Sequence, residues 1–311
     1  MANVPKVKLN TGAVMPAIGL GTFSGNEPHE WPQCKPWIHT ALQAGYRHLD
    51  TAYGYNTEKY VGEVVRESGI PREEIWITTK LPPHHMSRVA ASLEESLERS
   101  GFDYFDLYLM HWPITRRYDP ALGSPFSPQK EWNVLEHPTF SEAWAEMEKM
   151  LETGKVKNIG VSNFSVKNLE ILLKTAKIVP AVNQVELHPL LAQNDLLAYC
   201  KEKGITLTAY SPTGYAEVRE NPDVKKIARK HGVSSPPVAL AWHVQRGTSA
   251  VPKSTNAERQ KENLNLPKLD EEDMKILNSL DQGKHLCDQP GEDGTIFGWT
   301  LEQLGWSAWQ A

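Results

Sequence analysis

Eight short apolar runs recur along the chain with helix-patterned stretches between them, and this rhythm constrains the fold more than any other feature. The runs are Ala17–Leu20, His48–Asp50, Ile75–Lys80, Phe105–His111, Val156–Ser162, Ala181–Val185, Thr206–Tyr210 and Ser249–Val251, each read as a strand. Amphipathic stretches predict helices over Glu58–Ser68, Arg88–Ser100, Ser141–Thr153, Val166–Thr175, Asp195–Lys203 and Asp223–His231. Ser141, Ser87 and Asp195 are candidate N-caps, and Gly154, Gly204 and Gly232 stand where a left-handed residue ends a helix. Strands joined by helices run parallel, giving an open doubly wound sheet or a closed barrel. Eight units without a composition break favour an α/β (β/α)8 TIM barrel, with residues 1–311 as one domain.

Three stretches fall outside the rhythm. Lys6–Ala17 alternates weakly around Asn10-Thr11-Gly12 and predicts an N-terminal hairpin plugging one end of the barrel. Pro113–Pro138 is rich in Pro, Ser and charge and reads as an extended loop. Asp281–Ala311 follows the last helix as a C-terminal tail with Trp299, Trp306 and Trp309. On a barrel, long loops of this kind are expected to wall the site.

Composition removes several function classes. The 311 residues are 40% hydrophobic and 23% charged, which suits a globular chain with a sizeable core. A net charge of −5 argues against nucleic-acid or anionic-membrane binding. No apolar run approaches the roughly 18 residues that span a bilayer, and no leader pattern precedes the first strand. Cys34, Cys200 and Cys287 are odd in number and lack C-x-x-C spacing, as expected of free thiols in a reducing compartment. A cytoplasmic protein, monomeric or weakly homo-oligomeric, is the expectation. No metal is expected, because His84-His85 has no carboxylate or Cys partner at ligand spacing.

The strands end on Asp50, Lys80, His111, Ser162-Asn163, Gln184, Tyr210-Ser211 and, just beyond, Lys253. Singly each has an ordinary reading: a structural histidine, a solvated lysine, an Asn capping the next helix. Jointly they are residues that a barrel brings to one mouth, at the C-terminal ends of its strands. Tyr55 follows Asp50 on the departing loop. A phenol near pKa ~10 gives up its proton reluctantly at neutral pH. A buried ammonium beside it is expected to lower that value, and a carboxylate keeps the ammonium charged. Tyr55, Lys80 and Asp50 fit those roles, and His111 can polarise a carbonyl oxygen. Such a site protonates an oxygen as a carbonyl is reduced, or the reverse. No side chain supplies hydride, so a cofactor must.

These residues sit within ordered motifs: P-A-I-G-L-G-T at Pro16–Thr22, G-Y-R-H-L-D-T-A at Gly45–Ala52 and I-T-T-K-L at Ile77–Leu81. D-L-Y-L-M-H-W-P at Asp106–Pro113, G-K-V-K-N-I-G-V-S-N-F at Gly154–Phe164 and N-Q-V-E-L-H-P-L at Asn183–Leu190 follow, then A-Y-S-P at Ala209–Pro212 and V-P-K-S at Val251–Ser254. Up to about Asp281 the chain closely resembles the aldo-keto reductase superfamily. The ending Gly298–Trp306 looks similar to that of some fungal alcohol and aldehyde reductases among its members.

The resemblance implies a barrel that binds NADPH without a Rossmann domain and reduces aldehydes or ketones, small molecules, to alcohols. It implies Asp50, Tyr55, Lys80 and His111 as the catalytic tetrad, with Tyr55 the proton donor. Ser162, Asn163 and Gln184 would hold the nicotinamide carboxamide and Tyr210 would stack on its ring. Gly21, Thr22 and Asp50 would also lie against the cofactor, with Ser211 and Thr213 at the pyrophosphate. Lys253, Ser254, Thr255, Asn256 and Arg259 would take the 2′-phosphate, with Glu262 and Asn263 near the adenine. Phe23, Tyr55, His111 and Trp112 would line the substrate pocket, Phe23 replacing a frequent Trp. The short Pro212–Asp223 segment lacks the long loop that several members fold over the pyrophosphate. Substrate choice is expected in Tyr118–Glu136 and the tail. Two alternatives use the same residues: an NADP-dependent polyol or secondary-alcohol dehydrogenase, and a non-catalytic cofactor-sensing subunit, which the complete tetrad disfavours.

Overall fold

Alternation in the first sixteen residues folds as a hairpin: β1 (Lys6–Lys8) pairs antiparallel with β2 (Val14–Pro16), Val7 opposite Met15. The structure, a computed structural model, describes residues 4–120 and 131–306. Eight parallel strands follow in sequential order: β3 (Leu20–Gly21), β4 (His48–Asp50), β5 (Trp76–Leu81), β6 (Leu107–Met110), β7 (Ile159–Ser162), β8 (Val182–Glu186), β9 (Thr206–Tyr210) and β10 (Ser249–Ala250). Ile18 bridges Ala250 in parallel, with Gly19 N donating to Ala250 O at 2.9 Å and Ala250 N donating to Ala17 O at 2.8 Å. That seam joins the last strand to the first and closes the (β/α)8 barrel.

The outer ring is α1 (Cys34–Ala44), α2 (Glu58–Glu67), α3 (Val89–Ser100), α4 (Phe140–Glu152), α5 (Val166–Leu173), α6 (Asn194–Glu202), α7 (Tyr215–Arg219), α8 (Pro222–His231), α9 (Ser235–Gln245), α10 (Ala257–Leu264) and α11 (Glu271–Asn278). Their apolar faces pack on the outside of the sheet in one cluster that includes Ile38, Leu49, Ile77, Trp144, Phe164 and Trp242. A second cluster joins Leu9 and Met15 of the hairpin to Trp76, Leu107, Leu109 and Val182, so the hairpin closes the N-terminal end. The other end is left for the site. No α9 was expected from periodicity: its first turn carries prolines and Pro237 to His243 are all buried, so no polar face marks it as helical.

Helix starts differ from the sequence expectation in three places. Thr139, not Ser141, caps α4: its hydroxyl accepts from Glu142 N at 3.2 Å while the Glu142 carboxylate accepts from Thr139 N at 2.6 Å. The reciprocal capping box satisfies two helix-start donors where Ser141 would satisfy one. Ser87 caps nothing, since α3 starts after Arg88 without a side-chain cap. Nor does Asp195 cap α6; it lies in the first turn, after Gln193 in the left-handed region at φ 49°. At the other helix ends, Gly154, Gly204 and Gly232 adopt the positive φ expected of them. His84 and His85 are buried in a 3-10 turn, where His85 Nδ1 lies 2.9 Å from Ser92 Oγ.

In the Pro113–Pro138 stretch, residues 121–130 lie outside the described residues. Its two ends pair with each other: Arg116 bridges Val134 and Leu135 N donates to Thr115 O at 2.9 Å. After α11 the tail forms a small hairpin, β11 (Thr295–Ile296) with β12 (Trp299–Thr300), and a last turn, α12 (Leu301–Leu304).

Helices α2 and α3 touch through Gly62, where an added Cβ would fall 1.8 Å from Ser100 O. That is backbone, which cannot rotate away. Gly62→Ala is therefore expected to destabilise the fold by about 1–3 kcal/mol, read as a lower denaturant midpoint at unchanged slope; an unshifted midpoint would show that the helices separate freely.

Candidate active site

Strand β4 ends on Asp50, and the chain leaves through a 3-10 turn, Tyr53–Tyr55, that Asn56 terminates at φ 56°. This turn brings Tyr55 back over the barrel mouth. Lys80, fully buried on β5, donates to Asp50 Oδ1 at 2.6 Å, to Thr51 O at 3.0 Å and to Tyr55 Oη at 3.4 Å. Asp50 Oδ2 accepts from Gln184 Nε2 at 2.7 Å, so one carboxylate ties β4 to β5 beside it and to β8 across the barrel. His111 follows β6, its ring centroid 5.5 Å from that of Tyr55 at a steep angle. Phe23 packs edge-on to Tyr55 at 5.3 Å.

These groups line a cavity of about 580 Å³ together with Gly21, Thr22, Trp112, Ser162, Asn163, Gln184, Tyr210, Ser211, Thr213 and Lys253. Asn163 sits in the left-handed region at φ 65°, strained for a residue with a Cβ, which turns its amide into the mouth immediately after β7. Its Nδ2 donates to His111 O at 3.0 Å, which fixes Oδ1 as the atom 2.8 Å from the Tyr210 hydroxyl. Ser162 points its hydroxyl into the sheet, donating to Gln184 O at 2.8 Å. Ser254, Thr255, Asn256, Arg259, Glu262 and Asn263 lie beyond the cavity wall, on the loop after β10 and on α10. Asn256 caps α10, its Oδ1 accepting from Arg259 N at 3.0 Å, and Glu262 accepts from Ser234 Oγ at 2.7 Å.

Burial dominates the electrostatics. It pushes the Tyr55 phenol well above its usual value, with Asp50 and Asp288 adding to the shift. This reverses the expectation that Lys80 would lower it: desolvation of a phenolate outweighs an ammonium already paired with Asp50. Burial likewise lowers Lys80, against Asp50, which raises it. His111 is held well below the usual range by burial and by Lys80, so its ring is neutral at pH 7. At neutral pH the mouth therefore holds a protonated phenol, a neutral imidazole and one buried ion pair.

Residues missed in the sequence complete the wall: Tyr215 and Arg219 on α7, and Cys287, Asp288 and Phe297 in the tail. The tryptophans expected there lie behind it. Trp306 packs on Trp112 at 5.7 Å and stacks on His285 at 4.7 Å, Trp299 packs against the core, and Trp309 is outside the described residues. Of the described residues in 113–138 none lines the cavity, although Trp132 buttresses Phe297 at 5.4 Å. The tail is held by Glu186, the last residue of β8. Its carboxylate accepts from Leu286 N at 2.6 Å and Cys287 N at 3.0 Å, and pairs with His285 Nδ1 at 2.9 Å and His188 Nε2 at 3.0 Å. Burial alone would raise Glu186, but the hydrogen bonds from His188 and His285 prevail and hold it at about 2.

Residues 17–282 match the aldo/keto reductase family, so the chain belongs to that family and is an oxidoreductase acting on carbonyl or alcohol groups. It is 43% identical to a glycerol 2-dehydrogenase (NADP(+)) of Saccharomyces cerevisiae, over 89% of this chain and 91% of that protein. An aldehyde reductase of the same yeast is 42% identical over 88% of this chain and 90% of its own length. Among solved structures, the aldose reductase of Schistosoma japonicum superposes with a TM-score of 0.82 at 33% identity, covering 89% of this chain and 93% of that one.

Because the Glu186 value is depressed on folding, its stabilisation is fully present above the unfolded value of 4.5 and is lost as pH falls through about 2. At neutral pH, Glu186→Gln should loosen the tail, raising amide exchange at Leu286 and Cys287 by roughly tenfold or more, in line with the loss of a charged hydrogen-bond acceptor. Unchanged exchange at those two amides would mean that the tail is held by packing alone.

Proposed function

We propose that this protein reduces aldehydes and ketones to alcohols with NADPH, Tyr55 giving the proton to the carbonyl oxygen. The observation that carries this reading is the chain Asp50–Lys80–Tyr55, buried at one end and open to the cavity at the other. NADPH, when bound, supplies the hydride that the side chains lack. A carbonyl oxygen placed between Tyr55 and His111 receives two neutral donors, which stabilise the negative charge it develops. Tyr55 then releases its proton to that oxygen, and Lys80 stabilises the phenolate left behind while Asp50 keeps the ammonium charged. Because Tyr55 is fully protonated at pH 7, the resting site is set for reduction. The same residues run in reverse for alcohol oxidation, which the likeness to a glycerol 2-dehydrogenase keeps as the second reading.

The residues present fit the cofactor. Asn163, Gln184, Tyr210, Ser211, Thr213 and Lys253 line the same cavity as Tyr55, so amide partners, an aromatic ring, hydroxyls and a cation are all within it. Gly21 suits a narrow passage, since a Cβ there would lie 3.1 Å from Val251 O. We assign Ser162, Asn163, Gln184 and Tyr210 to the nicotinamide, with Gly21, Thr22 and Asp50 beside it and Ser211 and Thr213 at the pyrophosphate. Lys253, Ser254, Thr255, Asn256 and Arg259 go to the 2′-phosphate, and Glu262 and Asn263 to the adenine. Support for the phosphate site is that two cations flank the start of α10, where a helix terminus also favours an anion. The substrate falls to Phe23, Tyr55, His111 and Trp112.

We further read residues 1–311 as one domain, since Glu186 ties the tail from about 281 to the barrel. Three free cysteines support a reducing, cytoplasmic setting, and among the described residues no helix is long and apolar enough to cross a membrane. A net charge of −5 supports a monomer or weak homo-oligomer.

A panel of aldehydes with NADPH and of alcohols with NADP⁺, followed at the cofactor's absorbance, tests the reading. Tyr55→Phe should lower kcat by about 10²–10⁴, the usual worth of a general acid, with NADPH affinity nearly unchanged; turnover near wild type would remove Tyr55 as the donor. Arg259→Ala should weaken NADPH by roughly tenfold or more, as loss of a charged hydrogen bond implies, while leaving NADH within about twofold. Equal losses for both cofactors would remove the 2′-phosphate assignment.

A further inference from the structure

The tail contributes one charge to the cavity that none of the assignments above uses. Asp288 is half-buried and lines the same cavity as Tyr55, His111, Trp112 and Phe297. Its Oδ2 lies 2.7 Å from the Tyr210 hydroxyl, and its charge is near enough to add to the Tyr55 shift. The side chain is not a loose one. Its neighbours Leu286 and Cys287 donate their amides to Glu186, and His285 bonds the same carboxylate, so three consecutive residues before Asp288 are pinned to the end of β8.

Among the described residues no cation balances it. The groups acting on Asp288 are Tyr210, Cys287 and the Glu186 carboxylate, a like charge. Burial raises Asp288 only to about 6, so it is ionised at pH 7.5. Lys80 is already neutralised by Asp50 at 2.6 Å, and His111 is neutral. Of the two cations lining the cavity, Arg219 belongs to α7 and Lys253 to the loop after β10. Lys253 Nζ lies 6.0 Å from the Phe23 ring centre and is assigned above to the cofactor phosphate; neither cation is among the groups acting on Asp288. With the cofactor phosphate taking Lys253, Asp288 is thus the cavity charge that no opposite charge offsets.

We propose that Asp288 is a specificity-determining residue that sets the charge preference of the pocket, admitting uncharged carbonyl compounds and refusing those with a carboxylate near the reacting carbonyl. Two like charges about 8 Å apart in a medium of effective dielectric about 20 repel enough to cost roughly thirtyfold in binding. The substrate class is then neutral aldehydes and ketones, hydroxylated or aromatic, and not uronates or 2-oxo acids. This rests on the carbonyl-reductase reading above.

The test pairs two aldehydes of nearly equal shape, 4-formylbenzamide and 4-formylbenzoate, reduced with NADPH at pH 7.5. For the wild-type protein, kcat/KM should favour the amide by tenfold or more, and Asp288→Asn should shrink that ratio at least fivefold. Asp288→Ser should do the same, and it keeps the measurement available if the Asn variant folds poorly; the ratio cancels effects common to both substrates. A wild-type ratio near one, or a ratio that neither variant changes, overturns the inference while leaving the reductase reading standing. Absence of turnover with both aldehydes and with the wider panel overturns the reductase reading, and the inference falls with it.

Discussion

Everything at the barrel mouth depends on a buried ion pair, Lys80 with Asp50 at 2.6 Å, both side chains within 3% of full burial. Alone, either charge would cost several kcal/mol to desolvate, and removal of one partner from such a pair typically costs about 3–5 kcal/mol. The pair is sustained because Asp50 accepts from Lys80 on the adjacent strand and from Gln184 on the far side of the barrel. Lys80 in turn reaches Thr51 O and Tyr55 Oη. Stability and site geometry are here the same set of bonds. A barrel that closed in another register would leave this lysine without a partner.

Burial then decides the protonation states. Removing a phenolate from water outweighs the attraction of a neighbouring ammonium, so Tyr55 keeps its proton, and the same desolvation keeps His111 neutral. Tyr55 and His111 thus present neutral hydrogen-bond donors, an arrangement suited to an oxygen that becomes anionic only in passing.

Much of this was legible in the sequence, for reasons that particular residues make plain. Asp50, Lys80, His111, Asn163 and Gln184 are visible because parallel strands deliver their last residues to one place, so order along the chain becomes proximity in space. The helix N-caps were misplaced by two residues at Ser141 and Asp195, since a cap is chosen by local bonds such as those joining Thr139 and Glu142. The Tyr55 shift went the wrong way because its sign depends on how much water remains near the phenol, which spacing does not encode. Cys287, Asp288 and Phe297 were missed because the tail has no periodicity. Its position is set by Glu186, about a hundred residues earlier, and the Glu-Leu-His run at Glu186–His188 carries no mark of a distant partner. The Trp signal in the tail was real but pointed at packing, since Trp306 supports Trp112 from behind.

The family match ends at residue 282, and every tail residue that walls the cavity lies past that point. Asp50, Tyr55, Lys80 and His111 and the tail's part of the cavity wall therefore occupy separate lengths of chain, joined by the Glu186 carboxylate and by bonds such as Asn168 Nδ2 to Leu304 O and the Tyr210 hydroxyl to Asp288. In a chain made from its N-terminus onward, this wall emerges after the barrel. The groups of the barrel mouth can be in place before the tail's part of the wall, which on docking adds the charge of Asp288 beside Tyr210 and Tyr55.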